Sequence, residues 1–195
     1  MDNIVADSTF YIFFFDDIKC ANHLNCILDS YGAYMGPTIK SEISHYLEAD
    51  KDINGKVTDT TINVDFQNIL DQYQVSLLSA FPKLKRWDKK GEFEVIGISY
   101  LLKESGNLKY LIVDDGPPYK FIKNQLNYIK DNLTRTFGFL AMGVVDDKLI
   151  SKILLQEVIN ITEKEISLGN KPINIDKNIW FSIVKPRMMN ALEKE

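Results

Sequence analysis

Residues 109–120, KYLIVDDGPPYK, limit what this chain can fold into more than any other stretch. An apolar run rich in Val and Ile reads as a buried strand, and it stops at two adjacent aspartates ahead of a Gly-Pro-Pro break. One aspartate there is ordinary turn chemistry, because its carboxylate bonds the local backbone and it tolerates tight conformations. Two of them, Asp114 and Asp115, make the position of every other carboxylate matter.

Residues 3–6 read as a short strand ending at Asp7, with Ser8 or Thr9 capping a helix from about Phe10. That helix, FYIFFFDDIKCANHLNCILDSY, breaks around Asp16 and Asp17. A second strand, GAYMG, leads through Pro37 and Thr38 into the helix TIKSEISHYLEA. Residues 50–64 read as a polar loop or insertion, followed by a helix over 65–81 and a basic turn over 83–91. Then come a helix over 92–102, the strand KYLIVDD, a helix over 120–132, a strand-like TFGFLAM and a helix over 147–161. The tail ends in the helix WFSIVKPRMMNALEK, interrupted by Pro186. Strands alternating with helices imply a mainly parallel sheet with helices on both faces. Ligands of such sheets bind beyond the carboxyl ends of the strands, which is where Asp7, Asp114 and Asp115 would project.

Helical periodicity sorts the glutamates. Ile39, Ile43, Tyr46 and Leu47 form one apolar face, and Glu42 borders it. In GEFEVIGISYLLK, Glu92 aligns with Val95, Ile96 and Ser99, and Glu94 points away from that line. Glu42 and Glu92 thus read as inward acids, costly if unpaired and relieved by a bound cation, or as early-helix acids favoured by the macrodipole. Cys20, His23 and Cys26 are a poorer metal set, since their spacing spreads them beyond one helix face without an evident fourth ligand. His45 follows Glu42 by one helical turn and is a weaker candidate for the same site.

With 195 residues, 45% of them hydrophobic and 26% charged, the chain has the make-up of a soluble globular protein. The acidic N-terminal residues show no secretory signal, FYIFFF is too short to span a bilayer, and two cysteines make no disulfide framework, so a cytoplasmic setting is expected. A net charge of −4 argues against non-specific coating of nucleic acid. Set the five candidate acids aside, however, and the remainder is near neutral, with Lys83, Lys85, Arg86, Lys89 and Lys90 clustered beside Glu92. Such a cluster suits a phosphate backbone, and Trp87 within it suits an unpaired base.

The order IVADSTFYI, GPTIKSEI, the GE of KKGEFEVI, YLIVDD and RTFGFLAMG resembles the PIN-domain nucleases, closest to the branch that includes VapC-type toxins. The resemblance covers about 1–48 and 88–160. It departs from the family after the aspartate pair, where GPPYKF offers Lys120 in place of an Arg, and in the segments 50–87 and 162–195. It implies a PIN-like three-layer α/β/α sandwich around four to five mainly parallel strands, with a nuclease domain at 1–161 carrying a helical insertion at about 50–87. The remainder, 162–195, is then a C-terminal extension that packs on the domain or serves association.

By the same resemblance Asp7, Glu42, Glu92, Asp114 and Asp115 are the catalytic and metal-binding acids for Mg²⁺ or Mn²⁺. Asp7 with Asp114 or Asp115 would be direct ligands, and Glu42 and Glu92 would hold a second ion or its waters. Ser8, Thr9, Thr136, Arg86, Lys89 and Lys120 are the candidate substrate contacts. The implied activity is metal-dependent endoribonuclease cleavage of single-stranded or structured RNA, as the toxin of a toxin–antitoxin pair or a related defence nuclease. RNA, a cognate antitoxin or inhibitor protein and a second copy of the chain are the implied partners, with no membrane. Hard oxygen donors suit Mg²⁺ and Mn²⁺, and such ions neutralise phosphate charge and acidify water. The alternatives are a catalytically inactive PIN-like interaction module and a DNA-directed nuclease.

Overall fold

NIVA forms the middle strand of the molecule, β1 (Asn3–Ala6), with Ile4, Val5 and Ala6 buried. It pairs in parallel with β2 (Gly32–Met35) on one side and β4 (Leu108–Ile112) on the other. The edges are β3 (Val57–Asp59) beside β2 and β5 (Leu133–Thr134) beside β4. The order is therefore β3-β2-β1-β4-β5, all parallel. A parallel sheet buries both faces, so helices cover both, and the fold is the three-layer α/β/α sandwich that the alternation predicts. The protein is described here by a computed structural model covering residues 2–60, 75, 79 and 90–194, with the side chains of Lys90 and Glu92 outside that description. Of the predicted helix over 65–81 only Val75 and Ser79 are described, both helical, and most of the basic turn, with Lys83, Lys85, Arg86, Trp87 and Lys89, lies outside the described residues.

The helices follow from the sequence with informative exceptions. α1 (Ser8–Ile12) runs on through a wider π turn at Phe13–Asp17, then breaks at Lys19, whose φ is 52°. α2 is Ala21–Ser30, and β2 passes through Gly36 and Pro37 into α3 (Pro37–Glu42) and α4 (Ser44–Ala49). The polar stretch expected to be loop instead holds α5 (Lys51–Lys56) and the edge strand β3. Asp50 caps α5 by accepting from Ile53 N at 3.1 Å, and Ile53 is the buried anchor. α6 is Lys90–Glu104 and α7 is Gly116–Gln125, so Gly-Pro-Pro opens a helix rather than breaking the chain. Proline fits there because the first helical N–H groups need no partner within the helix.

The largest correction is TFGFLAM, which is helical, α8 (Thr136–Val145), while the strand is the two residues before it. A helix that is apolar all round shows no period, and its run reads equally as a buried strand. α9 is Lys152–Ser167, and it carries the chain past residue 161 without a break. Lys177–Ile179 and Lys185–Glu193, joined by a π turn over Trp180–Val184, make the last helix, α10. Trp180 is fully buried with its ring 5.3 Å from Phe137, and Met188 is buried as well, so the tail packs on α8.

Aromatic residues fill one side of the sheet: Phe10 and Tyr31 meet Phe139 edge-on at 5.8 and 5.2 Å. At the amino ends of the strands, Asp147 accepts from Tyr31 Oη at 2.7 Å and Tyr110 Oη at 2.8 Å and pairs with Lys109 at 2.9 Å. Burial alone would raise its carboxyl, but those hydroxyls and the ammonium hold it below its ordinary value. Among the described residues no helix is long and apolar enough to cross a membrane.

Candidate functional site

The winding of the sheet reverses between β1 and β4, so these adjacent strands leave a crevice at their carboxyl ends. Asp7 and Asp114 stand at its two sides. The ladder continues past the strand ends, with Asp7 N donating to Ile112 O and Val113 N to Thr134 O, both at 3.0 Å. That continuation holds both aspartates on ordered backbone rather than on loose loops.

Asp7 is 4% exposed and serves two donors. Its Oδ1 accepts from Phe10 N at 3.2 Å, so Asp7 itself caps α1, in place of the expected Ser8 or Thr9. Its Oδ2 accepts from Asp114 N at 2.9 Å, linking the two strand ends directly. Asp114 is 7% exposed, and Thr136 grips it twice, through N to Oδ1 at 3.1 Å and Oγ1 to Oδ2 at 2.5 Å. Burial first, and then the facing charge of Asp114, push the Asp7 carboxyl well above its ordinary value. Burial also raises Asp114, against the lowering effect of Thr136 and Arg135. Asp115 is half-buried at the N-cap position of α7, makes no capping bond with its side chain, and lines the cleft outside the pair.

The other predicted acids behave differently. Glu42 is the last residue of α3 and is exposed, so it is neither an early-helix acid nor an inward one. The Glu92 side chain lies outside the described residues. Glu94, expected to point away, is instead 5% exposed and accepts from Thr38 N at 3.0 and 2.8 Å, from Ile39 N at 3.3 Å and from Thr38 Oγ1. It closes the amino end of α3 and lies so near Gly36 that a Cβ there would strike its carboxylate. Phe93, Val95, Ile96 and Ile98 are all buried beside it, so α6 has no outer face along this turn for Glu94 to occupy. Burial raises the Glu94 carboxyl, opposed by the Thr38 and Ile39 bonds and supported by the charge of Glu42.

Thr136 is fully buried and positions Asp114, so it is no substrate contact. Thr9 lines the cleft, Ser8 is half-buried in the first turn of α1, and Lys120 is exposed on α7. Arg86 and Lys89 lie outside the described residues. Sequence reasoning missed Arg135, whose Nη1 donates to Asp114 O at 2.6 Å while its guanidinium lies 4.5 Å above the Tyr119 ring. His45 is exposed and stacks beside Tyr46, with ring centroids 3.7 Å apart. His23 pairs with Glu157 at 2.9 Å rather than with either cysteine.

Comparisons with protein-family models, with curated proteins and with solved structures find no match to this chain. What the site can do therefore rests on its own chemistry. Among the described residues no three His, Cys, Asp or Glu side chains form a cage for a metal. Asp7 and Asp114 nonetheless suit a hard dication of the Mg²⁺ type, which keeps most of its waters and takes one or two carboxylates plus substrate phosphate. Among the described residues each oxygen of the pair accepts one hydrogen bond, leaving lone-pair capacity, and neither carboxylate has a Lys or Arg ion partner. A dication would offset the burial and like-charge repulsion that raise both.

Proposed function

We propose that this protein is a metal-dependent nuclease, hydrolysing phosphodiester bonds with Asp7 and Asp114 as metal ligands and Asp115 beside them. The reading draws on the resemblance to PIN-domain nucleases and on one observation above all. Two buried carboxylates from adjacent parallel strands are held together at the reversal point of the sheet, Asp7 Oδ2 accepting from Asp114 N at 2.9 Å, with no Lys or Arg ion-paired to either carboxylate among the described residues. Gathering like charges out of water is costly unless something of opposite charge sits between them.

Mg²⁺ or Mn²⁺, when bound, supplies neutralisation of phosphate charge and a more acidic water. The chain supplies the rest. Asp7 is immobilised by two backbone donors and Asp114 by the two Thr136 donors, so neither carboxylate needs to be ordered anew to receive an ion. The Arg135 guanidinium spends one of its donors on Asp114 O and keeps the others for phosphate. RNA is the substrate the resemblance favours, and a cognate antitoxin or inhibitor protein is the partner it carries.

Asp7→Asn and Asp114→Asn should each abolish Mn²⁺-dependent cleavage of single-stranded RNA while thermal unfolding stays cooperative. Mn²⁺ should raise the melting temperature of the wild type and not of Asp114→Asn, because only a ligand that binds the native state stabilises it. Cleavage that persists in excess EDTA or in both variants would sink the reading. Running a DNA oligonucleotide of the same sequence alongside decides between ribonuclease and deoxyribonuclease.

A further inference from the structure

Next to the aspartates lies a cleft of about 490 Å³ that the tail helps to build. One side carries Thr9, Asp114, Asp115 and Arg135, and the other carries Asn174, Ile179, Ile183 and Arg187. An adjoining cavity of about 290 Å³ shares Asp114, Arg135 and Arg187. Two guanidinium groups from distant parts of the chain therefore border one space with Asp114. Arg187 is exposed and makes no hydrogen bond or ion pair among the described residues. Arg135 is exposed and, among the described residues, makes a single hydrogen bond, to a backbone oxygen.

The wall between these cations is apolar. Ile179 and Ile183 are 48% and 46% exposed, large for isoleucines on a helix that is otherwise anchored by Trp180 and Met188. The tail is also held firmly at this point. Ile173 has φ 51°, an uncommon conformation for a β-branched residue, and its N–H donates to Asp17 Oδ2 at 2.8 Å. The isoleucine wall is thus fixed opposite the acids.

We propose that Arg187 and Arg135 form a phosphate clamp for a single nucleic-acid strand, with Ile179 and Ile183 taking the face of an unpaired base. This rests on the nuclease reading and extends it to the substrate's form. Guanidinium groups match phosphate oxygens in a bidentate fork. An apolar wall accepts a base only when that base is out of a duplex, since pairing and stacking cover its faces. The tail is then part of the substrate cleft, and Arg187 is a substrate-binding residue.

The test uses the full chain and fluorescein-labelled oligouridylate and oligothymidylate strands, with the matching duplexes, by anisotropy in EDTA so that nothing is cleaved. The wild type should bind the strands more tightly than the duplexes. Arg187→Gln should weaken strand binding about 3- to 10-fold at moderate salt and reduce the slope of log K against log salt by about 0.7, one phosphate contact. Arg187→Lys should restore the slope but only part of the affinity, because it keeps the charge and loses the fork. An unchanged slope in Arg187→Gln, equal binding of strand and duplex, or no binding at all overturns the clamp. Cleavage assayed in parallel separates the two ideas: a clamp signature without Mn²⁺-dependent cleavage removes the nuclease reading alone. Cleavage with an Arg187→Gln KM equal to that of the wild type removes the clamp alone.

Discussion

Asp114→Asn should make the protein more stable at neutral pH even as it removes activity. Asparagine keeps the shape of the site: its Oδ1 can accept from Thr136 N, now 3.1 Å from Asp114 Oδ1. Its Nδ2 can donate to Thr136 Oγ1, reversing the present 2.5 Å bond, since a hydroxyl serves either way. What changes is the charge. Two unit charges about 6 Å apart at an effective dielectric of about 20 repel by about 3 kcal/mol, which sets the scale for like charges on neighbouring strand ends. The lost attraction of Arg135 offsets part of this, leaving a net gain of about 1–2 kcal/mol, or about 2–8 °C in melting temperature for a chain of this size.

The pH dependence carries the sign. Both carboxyls titrate above their ordinary value in the folded state, so the native protein holds these protons more tightly than the unfolded chain does. Their ionisation therefore penalises folding in full above the raised values, and the penalty disappears as pH falls through them toward about 4. Melts followed by circular dichroism in EDTA, at neutral pH and again near the ordinary aspartate value, should show the advantage of Asp114→Asn shrinking on acidification. A variant that melts below the wild type at neutral pH, or above it by the same margin at both, would refute the claim that the pair is held under mutual repulsion.

Thr136→Val should lower cleavage by about 10- to 100-fold with little change in fold, the range for loss of a residue that orients a metal ligand, read as a fall in kcat with KM held. Asp147→Ala should cost about 2–5 kcal/mol in denaturant unfolding, because it removes the acceptor of two buried phenols and leaves Lys109 with Asp2 alone, while leaving strand binding in place. Asp147 also has the opposite sign to the site pair, since its lowered carboxyl supports folding above the ordinary value and loses that support as pH falls through the folded value. Trp180→Ala should cost about 3–5 kcal/mol and detach α10 from α8, which calorimetry and proteolysis of the tail would both report.

The strands that carry Asp7 and Asp114 were legible in the sequence because both are short, apolar and bounded by turn residues, and so was the placing of both acids at the carboxyl end of the sheet. The break after α1 and the Pro-led start of α3 were legible too, since each depends on neighbouring residues alone. β3 was not, because a three-residue edge strand with one apolar side chain, Val57, carries almost no period. α8 was misread for the opposite reason, an excess of apolar residues with no polar face to set the phase. Glu94 failed in the same way within α6, because Phe93, Val95, Ile96 and Ile98 around it are all apolar and give its turn no clear phase.

By itself, then, the amino-acid order determined an α/β layering and the convergence of two strand-end aspartates, because strand length, turn chemistry and alternation act over a few residues. Only the folded chain decided that Glu42 faces solvent and Glu94 the α3 terminus, that Thr136 grips Asp114, and that Arg187 meets Arg135 across a cleft. Each of those depends on segments far apart in the chain and on how helices pack on the sheet, and no local pattern encodes that placement.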